Sequence, residues 1–310
     1  MKPFLLSYLA AAAKATDVLL PLYQYPGNNG GDWDPIKNAL IENPSVQATI
    51  VINPYNGPGG DGQGIEDPQY VAGTQALAAL PNVRLIGYVH TSTDWGQTRC
   101  NVPLEDIKAN ISKWSTWNDG GVPIKGIFID EAPVNLENNC LEYMSNLTTF
   151  IRDSALQLGG ANAFVVFNPG GTGNLLPYYS LGPDLIIALE TCFTTPETAG
   201  DSYDQCPSTG GYTPYDNAGP GSSIDNLVVP VVNEENLPHT AILVHGFHDT
   251  NGPPANLVAT TSGVLEQLVT AVVQRGVGAT FFNTAGYHSF SDGPASFGAF
   301  VSALAASNAA

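Results

Sequence analysis

Positive charge is scarce in this sequence. Ten Lys and Arg stand against 28 Asp and Glu, giving a formal net charge of −18. Proteins that grip nucleic acid neutralise its phosphates with Lys and Arg, so this balance excludes a nucleic-acid partner. It suits the solubility of an exported protein and an attraction to a cationic polymer. Charged residues of both signs are few, at 12%, while 43% are hydrophobic. That content supplies a large core, and 33 Gly with 24 Pro point to a loop-rich globular chain rather than a disordered one.

Long apolar runs are also missing. The run Phe4–Ala13 follows Met1 and Lys2 and meets the small-x-small triplet Ala13-Lys14-Ala15. It is too short to span a bilayer and reads as a secretory signal over residues 1–15. The expected organisation is that signal followed by one domain over residues 16–310, secreted or held at the cell wall. Cysteine is limited to four residues with no Cys-x-x-Cys, which argues against a zinc knuckle or a redox motif. Disulfides fit an exported chain. The expected pairs are Cys192–Cys206 and Cys100–Cys140, with the two other connectivities left open. Closing a loop of ~15 residues is worth roughly 3 kcal/mol. Asn110-Ile111-Ser112 and Asn146-Leu147-Thr148 are glycosylation sequons. The Gly-rich stretch Gly57–Gly64 lacks the spacing and Lys of a phosphate-binding loop, so it reads as a plain loop. No cofactor or metal is indicated.

Eight short apolar runs are present: Val18–Tyr23, Ala48–Ile52, Val83–Val89, Gly126–Ile129, Ala163–Phe167, Leu185–Leu189, Ala241–Val244 and Ala279–Phe282. Continuous rather than alternating apolar runs are buried on both faces, as in a parallel sheet. Helical patterns lie between them: Pro35–Glu42, Pro68–Leu80 capped by Asp67, Leu104–Trp117, Cys140–Leu158, Asn174–Tyr179, Asn256–Arg275 and Ala295–Ala305. After the sixth strand, Thr194–Ser223 reads as a long loop. Eight strand–helix units predict an α/β fold, a single (β/α)8 barrel. The weak sixth helix leaves an open doubly wound sheet as the alternative.

In a barrel, the first polar residue after each strand faces one shared mouth. Asp130-Glu131 and Glu190 fall there. So do Tyr23, Tyr25, Asn53, Tyr55, His90, Asn168, His245, His248, Asn283 and Tyr287. Aromatic faces stack on sugars, and amides and acids bond hydroxyls, so these types around one hollow suit a carbohydrate. Glycoside hydrolysis needs two carboxyls flanking the scissile bond, one a proton donor and one a nucleophile or base. Adjacent residues of an extended strand point opposite ways. Asp130 and Glu131 therefore share the mouth only if the chain turns there, which Pro133 permits by disfavouring helix at Ala132. Crowded acids should push one pKa up. Two rival readings are a metal-dependent polysaccharide deacetylase using His90, His245 and His248, and a non-catalytic sugar-binding barrel. Trp114 and Trp117 read as helix packing, Trp33 and Trp95 as core or sugar platforms, and His239 and His288 as surface or structural.

The segments "LLPLYQYPG" from Leu19, "LIGYVHTSTDWG" from Leu85, "IKGIFIDEAP" from Ile124, "FVVFNPG" from Phe164 and "IIALETCF" from Ile186 resemble the spherulin-4-like family, which includes glycoside hydrolase family 135. The resemblance runs from about Asp17 to Tyr287. It implies a (β/α)8 barrel and a secreted, fungal-type, endo-acting enzyme for α-1,4-linked N-acetylgalactosamine in galactosaminogalactan. It further implies that Asp130, Glu131 and Glu190 are the essential acids, with Tyr23, Tyr25 and His90 in the cleft. In such a sugar the acetamide lies cis to the leaving group and cannot attack from the opposite face, so enzyme carboxylates must do both jobs. The expected roles are Asp130 as nucleophile or base, Glu190 as acid and Glu131 orienting substrate, the first two being exchangeable.

Overall fold

The computed structural model describes residues 15–62, 64–94, 99–134, 140–171, 173–193, 215, 221–247, 263–284 and 296–310. The expected signal, Trp95, Cys206, His248, Tyr287, His288 and nearly all of the loop read over Thr194–Ser223 lie outside these residues.

Eight parallel strands close into a barrel in sequence order, which settles the choice against an open sheet. They are β1 (Asp17–Leu22), β2 (Ala48–Ile52), β3 (Val83–His90), β4 (Ile124–Asp130), β5 (Phe164–Phe167), β6 (Leu185–Cys192), β7 (Thr240–His245) and β8 (Ala279–Phe282). Continuous apolar sequence forms them because helices cover the outer face and side chains fill the inside; all five residues of β2 are buried. The chain returns through α1 (Asp34–Glu42), α2 (Pro68–Ala78), α3 (Leu104–Thr116), α4 (Cys140–Ile151), α5 (Leu176–Tyr179), α6 (Val229–Val232), α7 (Gly263–Gln274) and α8 (Phe297–Asn308). Asp67 caps α2 as expected, its side chain accepting from the Gln69 N–H.

Several boundaries differ from the sequence reading, each for a local reason. The fourth helix stops at Ile151, short of Leu158, because Asp153 is extended and accepts from the Ala155 N–H, starting a separate 3₁₀ turn. The sixth unit does contain a helix, a π-turn over Ile224–Val228 running into α6. The sixth strand continues past Leu189 to Cys192, so Glu190 lies within the strand rather than after it. Among the described residues no helix is long and apolar enough to cross a membrane.

Both strands that carry the acids contain one extra residue. Between β3 and β4 the pairing passes from Leu85–Ile124 to Gly87–Ile127, so β4 advances three positions against two. Between β6 and β7 it passes from Ile187–Ala241 to Leu189–Ile242, which leaves Ala188 unmatched. Such bulges bend a strand and re-aim the side chains beyond them. Here the residues beyond are Asp130 and Glu190.

The back of β3 is fixed by a tryptophan. Trp114 of α3 is fully buried and donates its indole N–H to the Tyr88 carbonyl at 2.8 Å. It occupies the space a side chain at Gly87 would need: a Cβ there would lie 2.3 Å from its ring. Trp33 is likewise core, 1% exposed and bonded to the Gln24 carbonyl, so it offers no sugar platform. Replacing Gly87 with Ala forces Trp114 outward, and overpacking of this kind costs about 1–3 kcal/mol. The expected outcome is a lower midpoint in urea unfolding.

Candidate active site

Side chains from β3, β4, β5, β6 and β7 meet at the C-terminal mouth. Asp130 ends β4, and Asn168 directly follows β5. Because β5 pairs with both β4 and β6, its first polar residue falls between their acids. The Asn168 amide donates to Asp130 Oδ1 at 2.9 Å and to Glu190 Oε2 at 2.8 Å. Those two oxygens are therefore no more than about 5.7 Å apart, the two bonds laid end to end. The Asn168 side-chain oxygen Oδ1 accepts from the Gly170 N–H at 2.8 Å, which fixes the amide with its NH₂ toward the acids.

Each acid has a second partner. The Tyr88 hydroxyl donates to Asp130 Oδ2 at 2.7 Å. His245, 2% exposed, sets Nε2 3.0 Å from Glu190 Oε1. Burial, followed by the charge on Glu190, pushes the Asp130 pKa up to about 6, against the opposing hydrogen bond from Tyr88. Tyr23 stands edge-on to Tyr88, ring centroids 5.6 Å apart. Burial and then the charges on Asp130 and Glu190 hold its hydroxyl protonated.

The chain does turn at the second acid. Glu131 adopts φ +54°, the left-handed region that a residue with a side chain rarely occupies. Glu131 lines an open cavity together with Asn56, Tyr88, His90, Ser92 and Thr93. His90 Nδ1 lies 2.6 Å from the Ser92 carbonyl, an acceptor, so this nitrogen carries the proton. Glu131 Oε2 is 3.5 Å from the same nitrogen. The Glu131 carboxylate is the main cause of a raised His90 pKa, opposed by burial.

The Spherulin4 family model matches residues 17–304. The chain belongs to spherulation-specific family 4. No curated protein matches it. Among solved structures it resembles Aspergillus clavatus Sph3 in complex with GalNAc, with 24% identity, a TM-score of 0.69, and coverage of 95% of this chain and 99% of that one. It also resembles a trimodular endoglucanase of glycoside hydrolase family 5, subfamily 4, at 12% identity and a TM-score of 0.54, covering 96% of this chain and 60% of that one. ZgEngA of the same subfamily gives 14% identity and a TM-score of 0.51, covering 95% and 96%. At these identities the likenesses establish the shared barrel.

In this spherulin-4 family member the other sequence-chosen residues are spread more widely. Tyr25 is 49% exposed and donates to Asp67 Oδ2, and Tyr55 is 73% exposed. Asn53 spends its side-chain oxygen on the Gly57 N–H inside its own loop, leaving Asn56 to line the cavity. Asn283 is 1% exposed and its backbone ties the ends of β7 and β8 together. Tyr88 was absent from the sequence-chosen set because it lies inside a continuous apolar run. Its two-residue spacing from His90, which puts both on one strand face, was the available signal. Cys100 and Cys140 are bonded, joining the loop after β3 to the start of α4; Cys192 is disulfide-bonded too. Both sequons fall within helices, Asn146 exposed and Asn110 half-buried. Among the described residues no group of three or more His, Cys, Asp or Glu could hold a metal ion.

Tyr88→Phe removes a donor that favours ionised Asp130. The Asp130 pKa should then climb above its value of about 6, by roughly one unit for a hydrogen bond to a charged group. Carboxyl-carbon NMR titration of the two proteins measures the shift.

Proposed function

We propose that this protein is a secreted, endo-acting glycoside hydrolase that cleaves α-1,4-linked N-acetylgalactosamine polymers by a retaining mechanism. The observation that carries the reading is the Asn168 amide bonded to both Asp130 and Glu190. Retaining glycosidases hold their two carboxyls about 5–5.5 Å apart, and inverting ones about 6.5–9.5 Å to admit a water. The upper limit of about 5.7 Å between the bridged oxygens supports the first geometry. Membership of spherulation-specific family 4 and the likeness to a protein crystallised with GalNAc support the choice of sugar. The net charge of −18 suits a polymer partly bearing free amines. The bonded cysteines support export, with residues 1–15 as the signal and Asn110 and Asn146 as glycan acceptors.

Asp130 accepts hydrogen bonds on both oxygens, from Tyr88 and Asn168, and the Tyr88 bond offsets part of the burial that raises its pKa. It attacks the anomeric carbon from the face opposite the leaving oxygen. Glu190 gives its proton to that oxygen as the glycosidic bond breaks, and the sugar is left joined to Asp130 as an ester. Glu190, now ionised beside His245, then takes a proton from water, whose oxygen displaces Asp130 and returns the carboxylate. Glu131 and His90 hold the sugar in the adjoining cavity.

The deciding experiment is mass spectrometry of products from N-acetylgalactosamine polymers and a panel of α- and β-linked glycans. Shortened oligosaccharides are expected only from the α-linked polymer; binding without shortening defeats the reading in favour of a sugar-binding barrel. Asp130→Asn and Glu190→Gln should each lower kcat about 10²–10⁴-fold. Activity should fall as pH drops through about 6, where the Asp130 carboxylate gains a proton and stops being a nucleophile. A profile flat between pH 5 and 7 counts against Asp130 in that role.

A further inference from the structure

The left-handed Glu131 is held by one buried side chain from the neighbouring strand. We propose that Thr91 is a positioning residue that locks Glu131 in its turn, so that the Glu131 carboxylate lines the cavity beside His90. The inference rests on the glycosidase reading for its kinetic readout and on geometry for its substance. Thr91 is fully buried directly after β3. Its hydroxyl donates to the Glu131 carbonyl at 2.6 Å, and its N–H donates to the Asp130 carbonyl at 3.2 Å. The peptides on both sides of the strained residue are therefore gripped by a single amino acid. Beyond the turn, the Ala132 N–H donates to the Asn168 carbonyl at 2.9 Å, and the Asn168 N–H returns to Ile129 at 2.8 Å.

Thr91 is itself anchored on its far side. Its carbonyl accepts from Asn101 at 3.1 Å and from Val102 at 3.2 Å, and its hydroxyl lies 3.5 Å from the Cys100 nitrogen. Cys100 is bonded to Cys140 at the head of α4. The turn at Glu131 is thus fastened through Thr91 to a disulfide-pinned loop. A non-Gly residue persists in this backbone region only when its surroundings over-determine it. Once the hydroxyl is gone, the Glu131 carbonyl lies without its donor and the turn can relax to an extended form, which points Glu131 away from Asp130.

The test is a double-mutant cycle on the full chain. Thr91→Val keeps the shape and removes the hydroxyl; Thr91→Ser keeps the hydroxyl. Thr91→Val is expected to lower kcat/KM on the α-1,4-N-acetylgalactosamine polymer about 10-fold, as for a lost buried hydrogen bond, while Thr91→Ser stays within about 3-fold of the native chain. In a Glu131→Gln background the Thr91→Val effect should shrink to below about 3-fold, because the group being positioned is already impaired. Thr91→Val matching Thr91→Ser overturns the inference. So does an equal loss in both backgrounds, which marks a purely structural threonine. If the native chain cleaves nothing, the glycosidase reading fails by itself, and the same cycle is read on calorimetric binding of an N-acetylgalactosamine oligosaccharide. There, additive effects of the two substitutions overturn the inference and coupled effects sustain it.

Discussion

One amide determines how the acids of this protein stand. Asp130 and Glu190 come from strands that do not pair with each other, and the strand between them supplies Asn168 to bond both. Two carboxylates in a half-buried hollow repel, and burial disfavours the charge on each. A side-chain NH₂ is suited to the gap: it has two donors on one nitrogen and adds no charge of its own. Lys in its place would pair with both acids and hold both ionised. The neutral bridge sets their spacing without forcing both to ionise.

The remainder of the frame serves to keep that arrangement from relaxing. An extra residue in β4 and another in β6 adjust the aim of the strands just before their acids. Trp114 seals the outer face of β3 against Gly87 and ties down the carbonyl of Tyr88, whose hydroxyl reaches Asp130. The Cys100–Cys140 bond fastens the loop after β3 to the start of α4. At Glu131 the backbone is left-handed, and Thr91, directly after the neighbouring strand, holds both adjoining peptides.

The architecture was readable in the sequence because parallel strands buried on both faces leave continuous apolar runs, and all eight were visible. The same logic placed Asp130, Glu131, Asn168, Glu190 and His245 at the mouth, each at or near the end of such a run, and the structure brings Asp130, Asn168, Glu190 and His245 into one hydrogen-bonded group. It had less to say about direction. A polar residue after a strand reaches the mouth, but Asn53 turns back on its own loop, Asn283 is sealed in, and Tyr25 and Tyr55 face solvent. Tyr88 was hidden because an apolar run conceals a hydroxyl within it. The bulges were unreadable because an unmatched Ala188 has no distinguishing chemistry; only its partner strand reveals the mismatch. Asp153 ended the fourth helix early through a side-chain bond to the Ala155 N–H that hydrophobic spacing does not register.

Asn168 is followed by Pro169, and this has a bearing on how the protein ages. An asparagine usually loses its amide when the next backbone nitrogen attacks the side-chain carbon and closes a succinimide ring. Proline has no N–H to make that attack. Hydrolysis here would convert the bridge into a third carboxylate facing two others, ending the arrangement outright. The ring of the neighbouring proline denies that decay its ordinary starting point, which gives the bridge between the acids a chemically durable form.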